Sequence, residues 1–511
     1  MSSHGEGVLA VGSGAILIAL VQGWYESGLS NITVHVTNTQ PTDIGELKII
    51  LEQALLSDSE AALNILEAAE GNKVDWEAAV RPYSFILYAA QHGDLEEFQM
   101  LRAACLAQKK PLLPAMGLQG IGLAGPLLDP EEDGCWESAW RCVQRSIVKA
   151  DWRPYSAATS TLLSNLIVNE WHKWMAGEPN CRNHCYLLNP RTLEGSWHPI
   201  HLHPLLSGHK LGCSIMDLEL NLGADHEPDT EEWFTWFGSM TSEVSGIFHV
   251  WGEGALNQLP LAQCLVHPDD PLSEEASRLP AIVCSGFTHV EARRESALAG
   301  LEAYTARMVP LLVPEPLSRQ QENIHIGAGL TFAEAVRRGL SAYLSQELGK
   351  RTIQQELILT PMECARIEDI QCRFYKEALS ILEGEPVIAS GESLLGFPVV
   401  WVNSGDSWYG GVNLNRTLAL RQSLHKALMK TEAAPVSSVL WNEHQQRPES
   451  ITISAASLID NALWVRSAVQ TLNEHRIDLE VFDLRCESIW RDGSIKVVGI
   501  MLCEEVSSCI Q

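Results

Sequence analysis

The chain has 511 residues, 46% of them hydrophobic and 20% charged, which predicts roughly two to four domains with buried cores and excludes a disordered chain. Its 36 basic and 64 acidic side chains leave a formal charge of −28, a field that repels nucleic acid and anionic membrane surfaces and attracts basic partners. Thirteen cysteines without framework spacing, and no basic-flanked signal segment or long apolar span, point to reduced thiols in a cytoplasmic protein.

The first structural signal runs from Val8 to Leu29 (VLAVGSGAILIALVQGWYESGL). Small and β-branched residues meet Gly12-Ser13-Gly14, after which Ile16, Leu20 and Trp24 recur at helical spacing up to Gly28. Strand, glycine turn and helix in that order open a Rossmann-type unit, which presents backbone N–H groups and a helix N-terminus to a phosphate. Gly12, Ser13 and Gly14 are therefore the candidate cofactor-binding residues. Two departures mark the turn as vestigial. Leu17 stands where the third glycine of the fingerprint belongs. Thr37, Asn38, Thr39 and Gln40 follow the second strand, Ile32 to Val36, where an acidic residue would hold a ribose.

The following segments alternate. A helix is expected over Asp43 to Leu55 and a strand over Phe85 to Tyr88. A helix over Asp94 to Ala107 sets Leu95, Phe98, Leu101 and Cys105 on one face, and a strand covers Pro111 to Met116. Gly120 to Pro126 reads as a glycine-rich loop, and Ser156 to Met175 as a long helix carrying Leu162, Leu166 and Trp174. Such alternation predicts an α/β domain with a mostly parallel sheet.

GSGAIL, ESGL, YSFILYAAQHGD, KKPLLPAMGLQGIGLAGP and GCWESAW taken together resemble the thiazole-containing bacteriocin maturation proteins, the ocin-ThiF-like group. The resemblance spans about the first 210 residues. It implies a noncatalytic relative of adenylating enzymes that binds the leader of a ribosomal precursor peptide and presents it to a cyclodehydratase. Members of the group commonly carry an additional N-terminal leader-recognition domain, and this sequence opens directly on the sheet. The residues after the second strand agree with lost adenylation: only Asp43, Glu46 and Lys48 are available to hold Mg²⁺ and the charge that develops on phosphate.

Cysteines and histidines gather in CRNHC and HPIHLHPLLSGHKLGC. Zinc would need four such ligands, and Cys181, Cys185, His203 and Cys213 are the candidates. The first pair is spaced CxxxC rather than CxxC, so core or surface histidines without metal are the favoured reading, and zinc is not required. An acidic stretch, HEPDTEE (His226 to Glu232), marks a change of composition. It divides the chain into domains 1–215 and 216–511. The Trp233, Phe234, Trp236 and Phe237 cluster that follows is expected in a core.

The second domain contains a repeat. GFTHVEARRESALAGLEAY begins at Gly286, GLTFAEAVRRGLSAYL at Gly329 and NLNRTLALRQSLHKAL at Asn413. Ala292, Ala335 and Ala419 align, as do Arg294, Arg337 and Arg421, and Leu301, Leu344 and Leu428. Three copies of one helix are implied. Thr288 with Glu291 and Thr331 with Glu334 form T-x-x-E capping boxes, and Asn415 or Thr417 caps the third copy. Strands are expected at Ala281 to Cys284, Val309 to Val313, Phe397 to Val402 and Val497 to Met501. The repeat arginines are expected on solvated shoulders, with phosphate or carboxylate binding as the alternative.

These helices, with VSGIFHVWGEG before them, resemble the YcaO cyclodehydratase domain over roughly residues 216 to 511. The resemblance implies a Mg²⁺–ATP pocket built from helix carboxylates, with Glu302 as the candidate ligand. Its repeat equivalents are Ser345 and Met429, and Thr305 stands where a second Glu is expected, so ATP is not expected as a required cofactor. The expected fold is α/β: a Rossmann-type, adenylating-enzyme-like domain followed by a repeat-built, YcaO-like domain. The expected role is a leader-peptide-binding scaffold for a separate YcaO cyclodehydratase in thiazole and oxazole formation, with a homodimer as one allowed assembly. An ATP-dependent cyclodehydratase is the alternative, and an adenylating enzyme the third reading.

Overall fold

The computed structural model describes residues 7–67, 74–90, 93–118, 120–130, 136–143, 156–178, 183–200, 213–215, 217–223, 227–273, 277–313, 323–431, 439–441, 449–456, 461–485 and 495–504. The chain forms two compact units, one of residues 1–208, 239–249 and 273–277 and one of residues 209–238, 250–272 and 278–511.

The first unit opens with β1 (Val8–Ser13), α1 (Gly14–Glu26), β2 (Asn31–Val36), α2 (Ile44–Ser57), β3 (Ala62–Glu67) and α3 (Trp76–Val80). It continues with β4 (Phe85–Ala90), α4 (Leu95–Ala107), β5 (Leu112–Leu118), β6 (Ile121–Ala124), α5 (Trp136–Cys142), α6 (Ala157–Met175), β7 (His184–Leu188) and β8 (Gly195–Pro199). Its eight strands lie in the order β3-β2-β1-β4-β5-β6-β7-β8. The first five are parallel, and β6 to β8 are added antiparallel.

Alternate residues of β1 serve opposite faces. Val8 and Ala10 join α1 and α6 on one side, while Leu9 and Val11 join α4 on the other. Ile16, Leu17, Leu20 and Trp24 of α1 are buried, each such side chain contributing roughly 1.5–3 kcal/mol. Leu17 thus spends the third-glycine position on core packing. Asp43 caps α2 and Asp94 caps α4, each accepting N–H bonds from the first turn.

Three local expectations need correction. Gly120 to Pro126 is not a loop, because Ile121–Ala124 forms β6, paired with β5; its glycine lets the strand lie against Leu163 and Leu188. The inner face of α4 is Phe98, Leu101, Ala104 and Cys105, with Leu95 at its first turn 37% exposed. On α6 the buried apolar residues are Leu163, Ile167 and Val168; Leu166 and Trp174 pack against the same core as expected, whereas Leu162 is 40% exposed, and Ser164 donates to the Ile16 carbonyl at 2.8 Å on the buried face.

The second unit runs through β9 (Cys213–Ser214), α7 (Leu218–Leu222), α8 (Thr230–Ser239), β10 (Phe248–Gly252), β11 (Ala262–Pro268), β12 (Ile282–Gly286), α9 (His289–Leu312), β13 (His325–Gly329) and α10 (Phe332–Gln354). Then come β14 (Leu357–Ile367), α11 (Ile370–Glu383), β15 (Val387–Ser390), β16 (Val399–Ser404), β17 (Ser407–Val412), α12 (Arg416–Met429), β18 (Val439–Trp441), β19 (Glu449–Ile453), α13 (Asn461–Glu474), β20 (Ile477–Asp483) and β21 (Lys496–Glu504). The sheets are β10-β11-β12, β13-β21-β20-β9 and β17-β16-β15-β14-β18, with β19 also paired to β14. Val309 to Val313 is not a strand. Residues 309–312 continue α9 with Pro310 in the last turn, because Met308, Val309 and Leu312 extend the buried stripe begun at Ala292, and that burial outweighs β propensity. Trp233 and Phe237 are buried as expected. No helix among the described residues is long and apolar enough to cross a membrane.

Gly12 packs β1 against β4. Its φ is +149°, and a Cβ there would lie 1.9 Å from the Ala89 carbonyl oxygen. Gly12→Ala should therefore lower the urea unfolding midpoint, with a loss of about 3 kcal/mol or more by equilibrium denaturation.

Candidate functional site

In the first unit, Gly12-Ser13-Gly14 sits at the carboxyl ends of the parallel strands, where α/β sheets bind ligands. One of its anion-binding groups is occupied internally. The Gly14 N–H donates to the Thr42 hydroxyl at 2.8 Å, and Ser13 is buried. The acidic group missing from the end of β2 arrives from α4 instead. Glu97 accepts from Thr37 (3.3 Å), Thr39 (3.1 Å) and the Tyr88 phenol (3.1 Å). Burial raises its carboxyl above the usual range against those three bonds. Sequence reasoning missed Glu97 because it stands sixty residues from Thr37.

In the second unit the repeat builds a cavity of about 880 Å³, within the ordinary range for small-molecule sites. Each repeat helix starts the same way. Thr288 accepts the Glu291 N–H at 3.1 Å while Glu291 accepts the Phe287 N–H at 2.8 Å; Thr331 and Glu334 repeat this at 3.2 and 2.8 Å, the latter from the Leu330 N–H. Asn415, not Thr417, caps α12 by accepting the Leu418 N–H at 2.9 Å. The repeat alanines lie against strand glycines. A Cβ on Gly327 would come within 2.0 Å of the Ala335 carbonyl oxygen, and one on Gly411 within 2.4 Å of that of Ala419. Seating the first helical turn so closely on its strand aims the residue two positions after each alanine. Arg294, Arg337 and Arg421 consequently all line the cavity. The expected solvated shoulders are overturned: the side chains of Arg294 and Arg421 are only 14% and 17% exposed.

The residue after each repeat arginine completes the pattern: Glu295, Arg338 and Gln422. Arg338 binds both Glu295 and Glu302, to the latter through Nε at 2.7 Å and Nη2 at 3.0 Å, a bidentate arrangement. Glu302, the expected cation ligand, also accepts the Ala328 N–H at 3.0 Å. Glu227 pairs with Arg294 at 3.0 Å, and Glu291 takes a bond from Gln371 in addition to its capping bond. Every carboxylate lining the cavity is thus engaged. Mg²⁺ demands several oxygen ligands in near-octahedral array, and these residues do not fit it.

The charges follow this pairing. Burial works against Arg338, but Glu295 and Glu302 outweigh it and hold its guanidinium well above the ordinary value. Burial likewise opposes ionisation of Glu295, and Arg338 keeps its carboxyl low. Arg294 is raised by Glu334 and Glu227 against its burial. Arg337 goes the other way: burial lowers it, aided by Arg338 and Arg294 and opposed by Glu334 and Glu295. Burial lowers His425 too; its Nε2 lies 2.8 Å from the Ser285 hydroxyl and links β12 to α12. Cys284, also on the cavity wall, has its thiol pushed up to about 12 by burial.

Of the candidate zinc ligands, Cys181 and His203 lie outside the described residues. Cys185 is wholly buried in the first unit, its thiol pushed up to about 12 by burial, and Cys213 is exposed on β9 in the second. No group of three or more metal-binding side chains forms among the described residues. Sequence reasoning missed Arg338 and Glu295, although their signal was available at the position following the repeat arginines.

No protein-family model matches the sequence, and no curated protein matches it. Among solved structures, a heterocyclase in complex with substrate and cofactor superposes over 97% of this chain and 80% of its own, with a TM-score of 0.62 at 11% identity. The heterocyclase TruD matches over 97% and 79%, with a TM-score of 0.55 at 13% identity. E. coli MccB with ATP covers 40% of this chain and 66% of its own at a TM-score of 0.32 and 17% identity, too low to bear on the fold. The chain has the α/β heterocyclase fold.

Asp369 anchors one cavity arginine. It caps α11 through the Cys372 N–H, accepts from the Ala456 N–H and pairs with Arg421. Burial opposes its ionisation, but these bonds hold its carboxyl below the usual value. A depressed folded-state pKa contributes stability above the unfolded value near 3.9, lost as pH falls through the folded value. Asp369→Asn should cost about 3 kcal/mol at pH 7. The gap from the parent, measured by urea denaturation, should stay constant down to about pH 5 and close below about pH 4.

Proposed function

We propose that the chain is a noncatalytic component of azoline-forming peptide biosynthesis. It binds the leader segment of a ribosomal precursor peptide and presents it to a separate YcaO-type cyclodehydratase in the cytoplasm. In this reading residues 1–215 are a degenerate adenylating-enzyme-like domain and residues 216–511 a degenerate YcaO-like domain. The observation that carries the reading is Arg338, whose guanidinium lies between Glu295 and Glu302 where a catalytic cavity would need open carboxylates for Mg²⁺. The Thr42 bond to the Gly14 N–H supports it from the first unit.

A peptide has a place to dock. Among the described residues β3 pairs with β2 alone, so its outer edge can accept an added strand. Main-chain bonds would then supply affinity and alternate side chains the choice of partner. Tethering the precursor in this way raises its effective concentration at the partner enzyme without new chemistry.

The test is reconstitution with precursor peptide, ATP and a separate cyclodehydratase, following water loss per ring by mass spectrometry. The chain alone should neither turn over ATP nor dehydrate the peptide. Added to the cyclodehydratase, it should lower the apparent KM for precursor by roughly ten- to a hundredfold. Ring formation by the chain alone would establish the alternative, an ATP-dependent cyclodehydratase.

A further inference from the structure

We propose that the open edge of β3 binds a short extended peptide segment with apolar residues at alternate central positions and lysine or arginine at both ends. This rests on the reading of the chain as a component that presents a peptide, and it names the chemistry of the segment held.

The first ground is which backbone groups are free. The Ala62 N–H donates to the Ser30 carbonyl at 2.8 Å, and β3 then runs parallel to β2 from Ala62 beside Asn31 to Glu67 beside Val36 without a register shift. Backbone groups of successive strand residues point to opposite sides. Ala62, Asn64 and Leu66 therefore spend theirs on β2, and Leu63, Ile65 and Glu67 turn an N–H and a C=O each outward. Sheets ordinarily guard such a row with lysine, proline, a bulge or an overlying element. β3 (ALNILE) holds neither lysine nor proline, and no bulge interrupts its pairing. The opposite edge of the sheet is different, because β8 places Gly195 and Pro199 within its five residues.

The second ground is the side chains beside that row. Leu63 and Ile65 pack against the core that also holds Leu47 and Ile50 of α2, yet both remain only partly buried. On the other face of the strand Leu66 is 37% exposed. An added strand would set alternate apolar side chains about 5 Å from Leu63 and Ile65 and cover them.

The third ground is charge. Glu60 just before β3 and Glu67 at its end are exposed, and neither side chain has a hydrogen-bond or ion-pair partner among the described residues. Residues 43–67 carry six acidic side chains and one basic, Lys48. This field attracts a segment with cationic ends. It also argues against a second copy of the same edge, since antiparallel pairing of β3 on itself would set glutamates of one copy against those of the other.

The experiment is titration of the full chain, followed by fluorescence anisotropy, with a labelled peptide in which valine and threonine alternate between pairs of lysines. Saturable binding is expected, weakening as added salt shortens the Debye length from about 30 to about 3 Å. Glutamate in place of the lysines should weaken it about tenfold or more. N-methylation of every second residue should do the same in one phase of the alternation and much less in the other, because only one set of amides faces the edge. Glu60→Lys combined with Glu67→Lys should weaken the lysine peptide about tenfold, admit the glutamate peptide, and leave the thermal midpoint nearly unchanged, both positions being exposed. No saturable binding, equal binding of the two charge types, indifference to the phase of N-methylation, or insensitivity to the double reversal would each overturn the proposal. So would self-association of the chain that the peptide displaces, which would assign the edge to a second copy. A chain that assists a cyclodehydratase but fails these titrations would lose this surface and keep the adaptor reading; binding at β3 by a chain that assists none would do the reverse.

Discussion

The second unit depends on how closely its repeat helices sit on their strands. At Gly327 and Gly411 the strand backbone touches the first turn of the following helix, at the carbonyl oxygens of residues 335 and 419, and glycine is what that spacing admits. A larger residue at either glycine would lift the helix and rotate the side chain two positions on from the alanine. The contact is therefore less a source of stability than an aiming device. It converts a sequence repeat into convergence of Arg294, Arg337 and Arg421 on one volume. The threonine and asparagine caps act at the same turn, each adding about 1 kcal/mol and fixing where the helix begins.

Within that frame, charge pairing sets the chemistry. A buried ion pair gains little over a well-packed apolar pair, because both charges must be stripped of water. Arg338 with Glu295 and Glu302 is thus poorly explained as a stabilising device. It is better explained by what it denies the cavity, namely open carboxylate oxygens. Glu295, Arg338 and Gln422 share one place in the repeat, so the three copies contribute an acid, a base and an amide from equivalent positions.

Much of this architecture was legible in the sequence because its signals are local. The T-x-x-E boxes, the aligned alanines and the four-residue spacing of Val336, Leu340, Leu344 and Leu348 each fix a helix without tertiary information. What escaped was set by packing at a distance. The buried face of α6 includes Ser164, bonded to the Ile16 carbonyl 148 residues away. The residues at 309–312 stayed helical because of what they bury. The arginines looked like surface residues because a helix shoulder is solvated unless two other helices face it, and only the folded chain shows that they do. Glu97 escaped for the same reason, its Thr37 partner lying 60 residues away; Arg338 was legible in principle, because it directly follows a repeat arginine.

The Thr42 hydroxyl on the Gly14 N–H bears on what the glycine turn of the first unit signifies. A single side chain takes the first helical N–H, while the strand, the turn and the helix beneath it keep their regular geometry. Engaging that N–H from within needs no rebuilding of the sheet. The Gly12 contact with β4 holds the turn in shape whether or not anything binds it. The packing of the sheet alone is enough to require glycine in this turn, so the turn by itself is a mark of the fold and not of an activity.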